Sequence, residues 1–258
     1  MTETRPIPPL WLDVELDTVE ENLALDEALL EAAHEGCVGE TIVRTWMAAT
    51  PTVVLGSSSR VAAEVDPEAC ATAGARLVRR PSGGLTVVLG PGCLMWSVIV
   101  PHPAGSPGLE AIHTAMLEPL AEALRTAGRA VHRRGTSDLA VMEPQASGQA
   151  AVEKKVSGNA LRVKRHAVLY HGTLLDSFDL DLIGRVLRHP PLEPAYRAGR
   201  THGDFLANLD LGRPRLEAAV RAAFGAVSAS TAADAWPRER VRQLVAERYA
   251  SGEWTHRL

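Results

Sequence analysis

Apolar positions first recur at helical spacing after Thr18, where Val19, Leu23, Ala24 and Leu30 mark one face and Thr18 and Glu21 stand at capping-box separation. This predicts a packed helix that ends near Gly36. The pattern then changes to β-branched runs: TIVRTWM and PTVVLG, divided at Thr50-Pro51, predict two strands joined by a short turn. Asp66 and Pro67 take the N-cap and first helical positions of a short helix through Ala73. ARLVRR predicts a strand running into Pro81-Ser82-Gly83-Gly84, and LTVVL with CLMWSVIV predicts a strand pair turning at Gly90-Pro91-Gly92. A long amphipathic helix over Leu109 to Ala127 follows, then short strands at AVHRR and DLAVM and a pair formed by KKVSGNALRV and HAVLYHGTLL. Helices near Asp179 to Leu187, Leu216 to Phe224 and Arg238 to Tyr249 close the chain, and Glu143 to Gln149 reads as an exposed loop. Strands adjacent in sequence and joined by short turns argue for an α+β fold, a mixed and largely antiparallel sheet packed with helices, rather than a doubly wound parallel one.

Composition narrows the partners. A net charge of −4 gives no general attraction to phosphate backbones, and 4% aromatic residues leaves few rings for base stacking, so nucleic acid is not expected as a partner. The most apolar stretch, Leu85 to Val100, is broken by Gly90-Pro91-Gly92 and is too short to span a bilayer, so no membrane is expected either. Cys37, Cys70 and Cys93 are odd in number and form no C-x-x-C pair, which suggests neither a disulfide framework nor a metal site. With no basic-then-apolar leader in MTETRPIPPLW, the expected compartment is the cytoplasm.

Three segments carry candidate chemistry. Arg79-Arg80-Pro81-Ser82-Gly83-Gly84 puts two guanidinium groups at a strand end beside glycines, an arrangement suited to cradling phosphate or carboxylate. No Gly-Lys-Ser/Thr follows, so it is not a Walker loop, and its plain alternative is a hairpin with solvent-facing arginines. In Lys154 to Arg162, strand alternation puts Lys155, Ser157 and Asn159 on one face and Val156, Gly158 and Ala160 on the other. An ammonium there would stabilise charge developing on an acyl-phosphate; the alternative is a solvated basic hairpin. The third segment, Tyr170-His171-Gly172-Thr173, holds a histidine that either contacts substrate or is a satisfied core residue. Asp138 either pairs with Lys155 or caps its turn.

Together these segments resemble the lipoate-protein ligase A family of the biotin/lipoate protein ligase superfamily. NLALDEALL (22–30) is similar to its N-x-A-x-D-E-A-L-L helix, RRPSGG (79–84) to its R-R-x-S-G-G-G loop, and KVSGNALR (155–162) followed by HGTLL (171–175) is the most specific pair. Arg44-Thr45-Trp46, PTVVLG (51–56) and the closing Arg248-Tyr249 with Trp254 extend the match over nearly the whole chain. The resemblance implies a single catalytic domain over residues 1–258 without a C-terminal accessory domain, so that adenylation would draw on a separate accessory subunit. It implies ATP with Mg2+ as cosubstrate, lipoate or octanoate as acyl substrate, and a lipoyl-domain or H-protein-like carrier whose lysine takes the acyl group from acyl-AMP. It assigns catalysis to Lys155, and substrate or nucleotide contacts to Arg80, Ser82, Gly83, Gly84, Leu85, Thr86, Asp138, Ser157, Gly158, Ala160, His171, Gly172 and Thr173.

The chain departs from the family pattern at Leu85, Leu89 and Cys93, where the ligases have glycine, histidine and asparagine. Two alternatives follow: an ATP-independent octanoyl or lipoyl transferase, for which Cys93 is the only candidate nucleophile, and a non-catalytic lipoyl-binding relative. Cys93 read plainly is a small apolar residue at a strand start.

Overall fold

The computed structural model describes residues 8–102, 105, 107–145, 150–228 and 236–258. Most of the expected loop at Glu143 to Gln149 therefore lies outside the described residues. Helix α1 (Val19–His34) opens as the spacing predicts: the Glu21 N–H donates to Thr18 Oγ1 at 3.2 Å and the Thr18 N–H to Glu21 Oε2 at 3.0 Å. Strands β1 (Leu10–Trp11), β2 (Ile42–Met47) and β3 (Thr52–Leu55) flank and follow it, then the short helices α2 (Val61–Glu64) and α3 (Pro67–Thr72), the latter capped by Asp66. Strands β4 (Arg76–Arg79), β5 (Val87–Leu89) and β6 (Cys93–Pro101) precede the long helix α4 (Leu109–Thr126).

After it come β7 (Val131–Arg134), β8 (Asp138–Glu143), β9 (Val152–Val163), β10 (Ala167–Leu175), α5 (Leu180–Val186), α6 (His202–Phe205) and α7 (Arg213–Phe224). Strand β11 (Val227–Ser228), α8 (Arg238–Leu244) with its π-helical continuation Val245–Tyr249, and α9 (Gly252–Thr255) complete the described elements. Among the described residues no helix is long and apolar enough to cross a membrane.

The strands form an eight-stranded sheet in the order β11-β1-β2-β6-β10-β9-β8-β7 and a three-stranded sheet in the order β4-β3-β5. Among the described residues only the β11-β1-β2 and β3-β4 neighbours are parallel, so the fold is α+β with a mixed, largely antiparallel sheet. The two predicted local pairings are corrected here. β2 joins the large sheet and β3 the small one, and β5 and β6 divide in the same way, so each short turn carries the chain between sheets. Alternation locates a strand but says nothing of its partner when both faces are buried.

Both faces of the large sheet are covered. One packs on α1 and the small sheet, with α8 against α1 and Leu25, Leu55, Leu89 and Ile99 in its core. The other packs on α4 and α7 around Trp96, Leu120 and Tyr170. This double covering explains why β6 and β10 read as nearly unbroken apolar runs.

Candidate active site

The hairpin β9-β10 brings the lysine strand against the histidine strand, with His171 opposite Ala160 and Gly172 opposite Asn159. Toward its other neighbour β9 contains a bulge: Leu139 pairs with Ser157 and Ala140 with Lys155, which leaves Val156 without a partner. The extra residue shifts the alternation by one. Lys155, Gly158 and Ala160 therefore face one side, while Val156 and Ser157 are fully buried on the other. This corrects the expected grouping of Lys155 with Ser157 and Asn159. The Asn159 amide turns to the opposite face and donates to the Ser137 carbonyl at 2.8 Å.

Lys155, Gly158 and Ala160 open on a cavity of about 360 Å³, which Arg80, Gly84, Leu85, Thr86, Asp138, His171, Gly172 and Thr173 also line. A smaller, mostly apolar recess of about 140 Å³ continues past Leu85 and Lys155 toward Ile183 and Phe205. Three residues expected at the site do not line the cavity. Ser157 is buried behind β9, Ser82 sits behind the wall, and Gly83 contributes its carbonyl to Arg80.

The ammonium of Lys155 meets Asp138 Oδ1 at 2.7 Å, and the Tyr196 hydroxyl donates to Asp138 Oδ2 at 2.9 Å. A Cβ on Gly158 would lie 2.9 Å from Lys155 Cε and Nζ, so the lysine occupies room that only glycine leaves. The pair is buried on the Asp138 side and partly open on the lysine side, which leaves ammonium hydrogens facing the cavity.

Arg79 and Arg80 do not act as a pair. Successive strand residues point to opposite faces, and Arg79 turns away to donate to the carbonyls of Gly56, Ser59, Trp254 and Thr255 at 2.7–3.1 Å. Arg80 lies on the cavity wall with most of its donors engaged by Val54, Gly83 and Leu85 carbonyls and by Ser82 Oγ. Burial pushes its pKa down to about 10, opposed by the Glu64 charge, so it remains a cation at neutral pH. Glu64 in turn accepts from the Thr86 N–H (2.8 Å), Thr86 Oγ1 (2.7 Å) and Ser59 Oγ (3.0 Å), holding the glycine loop from behind.

Ser82 Oγ accepts from Arg80 Nε at 3.0 Å and lies 2.6 Å from His171 Nε2. His171 Nδ1 faces Asp26 Oδ2 at 3.8 Å, beyond hydrogen-bond length. Burial alone would raise the Asp26 pKa, but Arg44 at 2.6 Å and His171 outweigh it and hold the carboxyl below its usual range. His171 is thus a cavity residue backed by Ser82 and by the buried Asp26–Arg44 pair. Cys93 is a core residue: it is fully buried among apolar neighbours, and burial pushes its thiol up to about 12. Among the described residues no cysteine lines the cavity.

Sequence reasoning missed Leu23, Val54 and Met95, which supply the apolar part of the cavity wall. Leu23 was visible on the helical stripe, but nothing marked which core leucine would border a cavity. Tyr196, in a segment with no periodicity, carried no signal at all. A cationic floor beside an apolar wall suits a molecule with an acyl chain and an anionic head.

The chain is similar to known proteins in both sequence and fold. The profile of the lipoyl protein ligase A/B catalytic domain matches residues 18–211. An octanoyltransferase LipM of Kyrpidia tusciae is 30% identical over 92% of this chain and 94% of its own. A second LipM, from Symbiobacterium thermophilum, is 32% identical over 80% of each chain. In fold, the chain is similar to the bi-partite lipoate protein ligase of Thermoplasma acidophilum, at a TM-score of 0.77 and 21% identity over 98% of this chain and 97% of that one. Lipoate-protein ligase A bound with ATP follows at 0.73 and 22% identity, over 98% and 99%. On the profile, which spans most of the sequence, the chain belongs to the lipoyl protein ligase A/B catalytic domain family.

Proposed function

We propose that the chain attaches lipoate or octanoate to a lysine of a lipoyl-domain or H-protein-like carrier by way of an acyl-adenylate. The observation that carries this reading is the single cavity shared by the Lys155 ammonium and the Arg80 guanidinium, beside apolar Leu23, Val54 and Met95, with no cysteine on its described walls. The acyl chain would lie on the apolar wall and its carboxylate near Lys155. Attack of a carboxylate oxygen on the α-phosphorus of ATP breaks the bond to pyrophosphate, which leaves. The carrier amine then attacks the acyl carbon, an amide forms, AMP departs and the amine gives up its proton. Lys155 stabilises the negative charge near the α-phosphate in both steps and is not itself acylated. Mg2+ would arrive on the nucleotide phosphates, since the cavity carboxylates Asp138 and Glu193 are already engaged by Lys155, Tyr196, His189 and Arg197.

A fold relative described with its E2 lipoyl domain supports a carrier of that class, and one described with ATP supports the nucleotide. A second reading, ATP-independent transfer, is favoured by the octanoyltransferase name of the relatives that align along most of the chain. Cys93 is not the nucleophile such a route needs, because a core thiol with its pKa at about 12 carries no thiolate at neutral pH. The experiment is incubation with ATP, lipoate or octanoate and lipoyl-domain substrates, read by pyrophosphate release and intact carrier mass. Adenylation predicts release that depends on acyl acid and falls by at least about a hundredfold in Lys155→Ala. Carrier modification from an acyl-carrier thioester without ATP would replace it with the second reading, and acyl-acid binding without any modification would make the chain a binding relative.

A further inference from the structure

The segment between α5 and α6 returns toward the sheet at the lip of the cavity and contains a 3₁₀ turn at Ala195–Arg197. Ala198 (φ 52°) and Gly199 (φ 72°) close that turn in the left-handed conformation, which an alanine keeps only when its surroundings hold it. Two arginines do so. Arg197 lies 4.9 Å above the Phe205 ring and Arg200 5.2 Å from the same ring. Arg200 also donates to the carbonyls of Tyr196 and Glu153, each at 2.7 Å. Glu153 lies on β9 two residues before Lys155, so the turn is fastened to the strand that bears the lysine.

The side chain this turn delivers is Tyr196. Its ring sits 5.1 Å from that of Phe205 and 5.3 Å from the Arg134 guanidinium, and its hydroxyl holds the Asp138 oxygen that Lys155 does not use. The geometry points to Tyr196 as a positioning residue that fixes Lys155 through Asp138, an inference that rests on the acyl-adenylate reading above. A carboxylate held at one oxygen can rotate and carry its ammonium partner with it. Held at both oxygens by donors from separate segments, it keeps one orientation, and the ammonium keeps one place. Burial and the adjacent Asp138 charge push the Tyr196 hydroxyl well above its ordinary range, so it stays a donor throughout. Tyr196 itself lines neither the cavity nor its recess. Its influence therefore has to pass through Asp138.

Tyr196→Phe removes the hydroxyl and keeps the ring with its contacts to Phe205 and Arg134. The expected result is a fall of about tenfold in kcat for carrier acylation, with KM for the acyl acid within about twofold and a melting temperature lowered by only a few degrees, the cost of one hydrogen bond. In an Asp138→Ala background the same substitution changes kcat by less than about twofold, because the group it acts through is gone. Wild-type kcat in Tyr196→Phe, or equal losses in the two backgrounds, overturns the inference.

A second measurement does not depend on catalysis. Exchange of the Lys155 ammonium hydrogens with solvent, followed by ¹⁵N NMR, becomes several-fold faster in Tyr196→Phe, and an unchanged rate overturns the coupling. If neither protein modifies any carrier, the functional reading fails, and the exchange measurement still decides whether Tyr196 holds Lys155.

Discussion

At the residue scale the candidate site depends on where side chains are missing as much as on where they are present. Gly158 and Gly172 lie on adjacent strands, yet they refuse a methyl group for different reasons. A Cβ on Gly158 would press on the far end of the Lys155 side chain, which can move aside at little cost to the fold. We expect Gly158→Ala to change stability by less than about 1 kcal/mol and to lower acyl transfer at least about tenfold, with urea unfolding and carrier mass as the two readouts. A Cβ on Gly172 would stand 1.7 Å from Asn159 Oδ1 and 2.9 Å from Trp96 Nε1, inside packed structure. Gly172→Ala should cost about 1–3 kcal/mol, and a stability equal to wild type would show that Asn159 can turn away. The cysteines give an independent check. Cys37 is exposed while Cys70 and Cys93 are buried, with both thiols pushed up by burial. Iodoacetamide should label Cys37 alone in the native protein and the other two only on unfolding, and native labelling of Cys93 would contradict its place in the core.

At the element scale, the strands and long helices were legible because each is a run of one periodicity, and α1 was legible to its capping residues. Which strands pair was not. β2 and β3 are separated by four residues and belong to different sheets, a choice made by the burial of both faces and by no local signal. The bulge at Val156 was hidden for another reason. A sequence of alternating character cannot show a one-residue slip, and here the slip decides that Gly158 and Ala160 share the Lys155 side of β9 while Ser157 is buried on the other. Polar residues inside α1 were legible as a motif but not as an anchor. Asp26 takes the Arg44 guanidinium of β2 at 2.6 Å and the Ser97 hydroxyl of β6 at 2.9 Å, with all three side chains buried. Removing one partner of such a pair leaves an uncompensated charge, so Asp26→Ala should cost about 3–5 kcal/mol in urea unfolding. The sign of its pH dependence follows from the depressed folded value. Asp26's contribution is complete above the unfolded aspartate value of about 3.9 and is lost as pH falls from there through the folded value. The stability gap between wild type and Asp26→Ala should therefore narrow below about pH 4, and a gap independent of pH down to acid unfolding would count against a charged Asp26.

At the scale of the whole molecule, the last residues of the described chain are tied to its first helix and to the strand before the glycine loop. Buried Glu27 of α1 accepts the Tyr249 hydroxyl at 2.7 Å and pairs with Arg248 from the C-terminal turn and with Arg162 of β9. Arg79 gathers four carbonyls, two from the Gly56–Ser59 turn and two from α9, and Trp254 Nε1 returns a bond to the Arg79 carbonyl at 2.8 Å. The adjacent residue, Arg80, is the one on the cavity wall, so the loop that borders the candidate site takes its position partly from chain more than 170 residues further on. A rigid fork is needed to bridge carbonyls that lie on two separate segments, and lysine cannot supply it. Truncating Arg79 leaves these carbonyls without their donor in a buried place, at about 1–3 kcal/mol for each that water does not reach. We expect Arg79→Ala to lower the melting temperature by roughly 6–12 °C, the equivalent of about 3 kcal/mol for a chain of this size, and Arg79→Lys to recover less than half of that. Trypsin should then cut at Arg248 under conditions in which wild type is resistant, because the segment that covers it has lost its anchor. An Arg79→Ala protein that melts within about 1 °C of wild type and resists trypsin equally would mean that Glu27 and Trp254 hold the C-terminal segment without it.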